Sequence, residues 1–206
     1  MAPMSYVYVL TNEAMPGYVK IGMTERPVKD RVLELDNTSV PLPFQCYYAA
    51  RVEDHKKVER ALHTAFGNSR IRTSREFFSV DAFRVKAILD VIALEDVTPR
   101  EEILENKDDA SALEKAVKQS RKFSFASAGI PIGATLALTK DESIICVVNS
   151  DSTVLFQDKE MSVSGSALLA LQQLGYKWSA VAGTEYWLYS GETLLSLRSA
   201  REVQSN

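Results

Sequence analysis

Along the first ninety residues the spacing of apolar positions changes several times, and each change marks an element. Residues 5–10 (Ser-Tyr-Val-Tyr-Val-Leu) are rich in β-branched and aromatic side chains and predict a strand. Pro16-Gly17 marks a turn, and residues 18–22 (Tyr-Val-Lys-Ile-Gly) predict a second strand, so the pair forms a hairpin. Val28, Val32 and Leu35 recur at helical spacing. Pro41 and Pro43 interrupt the chain, and residues 44–52 predict a third strand. A helix over 54–66 would turn Val58, Ala61, Leu62, Ala65 and Phe66 to one face. Residues 76–80 predict a short strand. Asp81 caps a closing helix expected to bury Phe83, Ala87, Ile88, Val91 and Ile92. The order is β-β-α-β-α-β-α.

The next stretch, 95–121, is charged and poor in aromatics. Thr98 followed by Pro99, Glu101 and Glu102 predicts a helix start, with a second helical stretch from Asp108. Beyond it, residues 135–138, 144–148 and 154–156 predict three short strands, with a turn at Asp151-Ser152. Gly129 and Gly133 suit a turn ahead of the first of them. Residues 162–174 predict a helix capped by Ser162 or Ser164 and stopped by Gly175. Residues 186–189 predict a closing strand followed by a turn. The pattern implies an α+β chain in two units, 1–94 and 122–206, joined by a charged helical linker over 95–121.

Composition narrows the class. The chain has 206 residues, 46% hydrophobic and 25% charged, which excludes a wholly disordered protein. No apolar run approaches the ~18–20 residues that cross a bilayer, and residues 1–10 have no signal-peptide character. Cys46 and Cys146 stand alone, without a C-x-x-C, so neither a disulfide framework nor a zinc cluster is expected and a cytoplasmic location is. The net charge of −3 excludes a broadly basic coat for nucleic acid. The charge is uneven, however: residues 1–80 hold 11 Lys and Arg against 9 Asp and Glu, while residues 101–206 hold 10 against 14. A local basic surface in the first unit is therefore compatible with the acidic total.

The candidate chemistry also lies in the first unit. Tyr6 and Tyr8 share a strand face, as do Tyr18 and Lys20 on the neighbouring strand, so the hairpin is expected to bring Tyr8 near Lys20. Arg26 and Arg31 follow. Glu59 and His63, four apart, point the same way from one helix. Arg70, Arg72 and Arg75 crowd a loop just before Glu76. Such a set suits phosphate-ester chemistry: guanidinium groups clamp phosphate oxygens, a carboxylate holds a hard divalent ion, and a tyrosine positions or deprotonates water. Each residue also has a plainer reading. Tyr6 and Tyr8 suit a packed sheet, Arg31 can pair with Glu34, Glu59 with Lys56 or His63, and Glu76 with Arg75 or Lys20.

The arrangement resembles the GIY-YIG nuclease superfamily over about residues 4–92. Tyr6-Val7-Tyr8 stands where relatives carry Gly-Ile-Tyr, and Lys20-Ile21-Gly22 where many carry Tyr-Ile-Gly. Arg31 at the start of a helix and Glu59 in the second helix match the catalytic arginine and metal-binding glutamate. Arg75-Glu76-Phe77-Phe78 and the Glu59/His63 pair are similar to a phage-type branch in which lysine replaces the second motif tyrosine. The first motif glycine is absent, with Tyr6 in its place. The resemblance implies a small antiparallel sheet flanked by helices and a Mg²⁺- or Mn²⁺-dependent endonuclease acting on DNA, in restriction or defence against foreign or mobile DNA. By the same resemblance Glu59 ligates the metal, and Arg31 binds the scissile phosphate. Tyr8 handles the attacking water with its pKa lowered by Lys20, His63 shuttles a proton or orients the leaving oxygen, and Glu76 supports the site. Arg26, Arg70, Arg72 and Arg75 contact the DNA. A double-strand cut would need a homodimer, a second binding event or sequential nicking. The alternative is a degenerate member that binds nucleic acid without cutting, or an interaction module. Residues 123–136 and 186–194 resemble the domain of unknown function 4357, which implies an accessory unit that docks DNA or a protein and carries no chemistry of its own.

Overall fold

The computed structural model describes residues 5–37, 39–104, 107–119 and 123–204. Positions 105, 106, 120 and 121 of the expected linker lie outside them. The chain divides into two compact units between Leu113 and Glu114. Both mix helices with antiparallel sheets, an α+β fold.

In the first unit, β1 (Tyr6–Thr11) and β2 (Val19–Thr24) form the expected hairpin, followed by α1 (Val28–Leu35) and β3 (Gln45–Arg51). After them come α2 (His55–Ala65), β4 (Phe77–Phe78), α3 (Ala82–Ile92) and β5 (Glu95–Asp96). The sheet order is β4-β2-β1-β3-β5, antiparallel throughout. Both edges are two residues long, which blunts them against pairing with another chain. Alternation along β1 divides the core. Tyr8 and Leu10 pack with Val28 and Val32 of α1 and with Phe44, Cys46, Ala49 and Ile103. Val7 and Val9, fully buried, face the opposite way, where α2 packs on β1 and β2 and α3 on β1 and β3.

Asp54 caps α2 by accepting from the Lys57 N–H, and Asp81 caps α3 by accepting from the Phe83 N–H. The inward faces of both helices differ from expectation. On α2 the buried residues are His55 and Leu62, with Ala61 and Ala65 exposed. On α3 they are Ala82, Val85 and Leu89, leaving Ile88 42%, Val91 84% and Ile92 41% exposed. Eight of the eleven residues of α3 are apolar, so periodicity alone picks no face; the sheet selects the set at i, i+3 and i+7.

The expected helix start at Thr98 is also overturned. Residues 95–96 close the sheet as β5, and Thr98 is buried, its Oγ1 accepting the Ala49 N–H at 3.0 Å. The Asp96 carboxylate accepts from the Thr98 N–H at 2.8 Å. The same Thr–Pro pair that suits an N-cap here satisfies an interior strand donor. A helix, α4 (Lys107–Gln119), follows one residue earlier than the Asp108 start expected.

In the second unit the sheet order is β11-β10-β6-β7-β8-β9, over β6 (Thr135–Leu138), β7 (Asp141–Val148), β8 (Thr153–Phe156), β9 (Lys159–Ser162), β10 (Trp187–Tyr189) and β11 (Glu192–Thr193). Ser162 caps α5 (Val163–Gln173), accepting from the Gly165 N–H, and α6 (Leu194–Gln204) ends the chain. The pattern does not anticipate β9, β11 or α6. The β8–β9 turn is made by Gln157 and Asp158, both at positive φ and without a glycine to announce it. Trp178, Tyr186 and Trp187 are core residues. The Trp187 indole donates to Val163 O at 3.3 Å and to Ser166 Oγ at 3.0 Å.

Candidate functional site

Register decides which side chains meet on the α1 side of the first sheet. Tyr8 lies opposite Gly22, and Lys20 opposite Leu10. Tyr8 and Lys20 therefore share a face of the hairpin, diagonally across it, and each has a side-chain partner of its own. Tyr8 lies over Gly22, where a Cβ would stand 2.6 Å from its hydroxyl and 2.7 Å from Cζ. Only a residue without a side chain lets the tyrosine lie flat across β2. The Arg31 Nε, from α1, donates to that hydroxyl at 3.4 Å.

Arg31 is itself held. Its Nη1 donates to Glu34 Oε2 at 3.2 Å, and Glu34 also takes both Nη atoms of Arg26 in a bidentate pair. The two arginines hold the Glu34 carboxyl below the usual range. Glu34 thus orients the cation that touches Tyr8; the i,i+3 spacing shows it as a helix-surface pair, not as part of a site. Burial raises the Tyr8 pKa, and the Arg31 hydrogen bond and charge offset part of the rise.

Lys20 is spent on Glu76. Lys20 is 7% exposed, and its ammonium sits 2.5 Å from Glu76 Oε2 and 5.5 Å from the centre of the Phe77 ring. Phe77 lies opposite Lys20 across β2–β4, so the two-residue edge strand brings both partners to the lysine.

The shortness of β4 leaves part of the β2 edge for α2 to complete. The Ile21 N–H donates to Glu76 O at 3.1 Å. The Ile21 carbonyl accepts from His63 Nε2 at 3.0 Å, and the Met23 N–H donates to the Glu59 carboxylate. Residues four apart on a helix stand about 6 Å apart, close to the two-residue repeat of a strand edge, so Glu59 and His63 serve successive backbone groups. The His63 ring also lies 5.0 Å from that of Phe78. Burial raises the Glu59 pKa; His63 opposes the shift, Glu76 adds to it, and Lys20 and the Met23 N–H oppose it.

Among the described residues no three of His, Cys, Asp and Glu converge as an ion-binding group. What the site offers is one half-buried carboxylate, Glu59, that already feels the second, Glu76. The hard oxygen donors of Glu59 fit a divalent ion that keeps most of its waters.

The loop between the 3-10 turn (Gly67–Ser69) and β4 carries the remaining arginines. Arg70 is fastened, its Nε donating to Arg75 O at 2.8 Å and its guanidinium lying 5.6 Å from the Phe78 ring centre. Arg72 and Arg75 are exposed. Arg26 is exposed too, with its guanidinium engaged by Glu34. The structure thus gathers Tyr8, Arg31 and Arg26 in one group and Lys20, Glu76, Glu59 and His63 in another, with arginines on a neighbouring loop. Sequence reasoning does not single out Gly22 as the seat of Tyr8, and the Met23 N–H has no side-chain signal.

Comparison with known proteins adds one finding. The family model of the T5orf172 domain matches residues 5–93. No curated protein and no solved structure matches the chain. Among the described residues no helix is long and apolar enough to cross a membrane.

Proposed function

We propose that residues 5–93 form a metal-assisted endonuclease centre of the GIY-YIG kind that hydrolyses DNA phosphodiester bonds, with residues 122–206 as an accessory unit similar to the domain of unknown function 4357. The observation that carries this reading is the Tyr8–Arg31 pair over Gly22, next to the elements that hold Glu59 and Glu76. The T5orf172 match over the same residues supports it.

Arg31 binds the non-bridging oxygens of the scissile phosphate and stabilises the charge that grows on them. Glu34 holds its guanidinium in place. Tyr8, whose pKa is raised, is a neutral phenol at physiological pH and orients the attacking water through its hydroxyl, in place of resting as a phenolate. Glu59 would hold Mg²⁺ or Mn²⁺. When bound, the ion supplies Lewis-acid stabilisation of the phosphate oxygens. Lys20 and Glu76 neutralise each other and fix the β2–β4 edge beside Glu59. His63, its Nε2 given to Ile21, is a positioning residue for the same edge. Exposed Arg72 and Arg75 track the sugar–phosphate backbone without reading bases.

The test is cleavage of supercoiled plasmid and single-stranded DNA by the full chain in Mg²⁺ or Mn²⁺. Arg31→Ala and Glu59→Ala should each lower the rate by about 10²–10³ while circular dichroism is unchanged, the scale of removing one transition-state charge partner. A second reading is a module that binds nucleic acid without cutting. It is favoured by the burial of Tyr8, which is 1% exposed. Salt-dependent DNA binding with no cleavage in either metal would select it.

A further inference from the structure

The loop that joins the 3-10 turn to β4 is basic, pinned by its backbone, and carries an exposed apolar side chain. Residues 70–76 read Arg-Ile-Arg-Thr-Ser-Arg-Glu, so three arginines precede the first carboxylate, and that carboxylate, Glu76, is taken by Lys20. Residues 71–75 are all exposed, and Ile71, between Arg70 and Arg72, is 48% exposed. A solitary exposed isoleucine is ordinary. This one is held in place from both sides. The Ser79 N–H donates to Ser69 O at 2.7 Å and the Ile71 N–H to Phe77 O at 3.0 Å, which closes the loop as a hairpin with Arg70 opposite Phe78. The Arg75 N–H donates to Arg72 O at 2.9 Å at the tip, and Arg70 Nε donates to Arg75 O at 2.8 Å across it. Strand alternation then sets the sides. Arg70 lies with Phe78, 5.6 Å from its ring centre, which leaves Ile71 on the side of Phe77, the side that also carries Lys20 and Tyr8.

Arg72 and Arg75 suit phosphate oxygens, and Thr73 and Ser74 between them add hydroxyl donors, so the surface fits a polyanion. An isoleucine set among guanidinium groups fits duplex DNA in particular, because phosphates flank every base step and the space between stacked bases is apolar. Isoleucine is among the side chains that part base steps, and its branch at Cβ keeps it stiff. We infer that Ile71 is a wedge: Arg72 and Arg75 hold phosphates of duplex DNA while Ile71 enters between two base pairs and unstacks them, on the face of the sheet that carries Tyr8. The preferred substrate is then duplex DNA whose stack opens easily, at a mismatch, a bulge or a pyrimidine–purine step. The inference rests on the DNA reading proposed above and adds which form of DNA the site takes.

The test uses the full chain without divalent ion and a pair of short duplexes, one intact and one mismatched at its centre, both carrying 2-aminopurine at several steps. The mismatched duplex should bind tighter by about tenfold or more, because it lacks stacking that the wedge must otherwise break. Binding of the intact duplex should raise the 2-aminopurine fluorescence. Ile71→Ala should cut the preference to about threefold or less and abolish the rise. Its circular dichroism should be unchanged, since half of the side chain is exposed. Ile71→Leu, which keeps a bulky apolar side chain, should retain both effects. Arg72→Ala and Arg75→Ala should each weaken both duplexes alike and lower the salt slope by about 1. Equal affinity for the two duplexes, or a fluorescence rise that survives Ile71→Ala, would overturn the wedge alone and leave the nuclease reading to its cleavage assay. No salt-dependent binding of either duplex would overturn both.

Discussion

Gly22→Ala is the sharpest perturbation of the site. The added Cβ would stand 2.6 Å from the Tyr8 hydroxyl, 2.7 Å from Cζ and 2.9 Å from Cε2. The ring is 1% exposed and has no room to slide, so relief requires moving the tyrosine or parting β1 from β2. Overpacking of this kind costs about 1–3 kcal/mol, against which a glycine-to-alanine change gains about 0.4–1 kcal/mol from the unfolded chain. A net loss of about 1–2 kcal/mol follows, seen in urea as a lower midpoint at unchanged slope. The 3.4 Å contact of Tyr8 with Arg31 should be lost with it, so cleavage should fall further than stability. The control lies in the tyrosine. In a Tyr8→Val background the Cβ meets space, and Gly22→Ala should become neutral or stabilising. An equal loss in both backgrounds would refute the account, because it would place the cost in the backbone and not in the ring. Gly67→Ala, with nothing within 4 Å, should stay within about 1 kcal/mol of neutral.

Four other outcomes are expected. Thr98→Val removes the acceptor for the buried Ala49 N–H and should cost about 1–3 kcal/mol by urea unfolding. Glu59→Gln keeps an acceptor for the Met23 N–H and removes a carboxylate whose folded pKa is raised. Such a group binds more protons folded than unfolded, so its penalty is present above the folded pKa and fades as pH falls through it. The variant should therefore be more stable than the parent at pH 8, with the difference vanishing towards pH 4; the reverse trend would be wrong for a raised carboxyl. Millimolar Mg²⁺ should raise the thermal midpoint of the parent and not of Glu59→Gln, by the linkage of binding to folding. Gly183→Ala would bring a Cβ to 2.3 Å from the Val163 carbonyl, a backbone atom that cannot swing aside. A loss of about 3 kcal/mol should appear in tryptophan fluorescence, since both tryptophans, Trp178 and Trp187, lie in the second unit.

The order of elements through α3 is legible because the signals that create it are local. Pro16-Gly17 makes a turn whatever surrounds it, and Asp54 and Asp81 cap helices through donors two or three residues away. The same local logic explains the errors. Thr98-Pro99 is chemically an N-cap, but an unmet N–H on β3 needed its hydroxyl more. Turns without glycine hid β9.

The candidate groups are also written in the chain: tyrosine, lysine, arginines and the Glu59/His63 pair, at hairpin and helix spacing, suit phosphate-ester chemistry. Their partnership is not. The β1–β2 register sets Tyr8 over Gly22, and the packing of α1 on that face brings Arg31 to its hydroxyl. Which apolar face of α3 meets the sheet, and so which is left exposed, is likewise a matter of packing. Local spacing determines what a residue can do. Long-range contacts determine what it is next to, because burial and pairing energies depend on residues dozens of positions away.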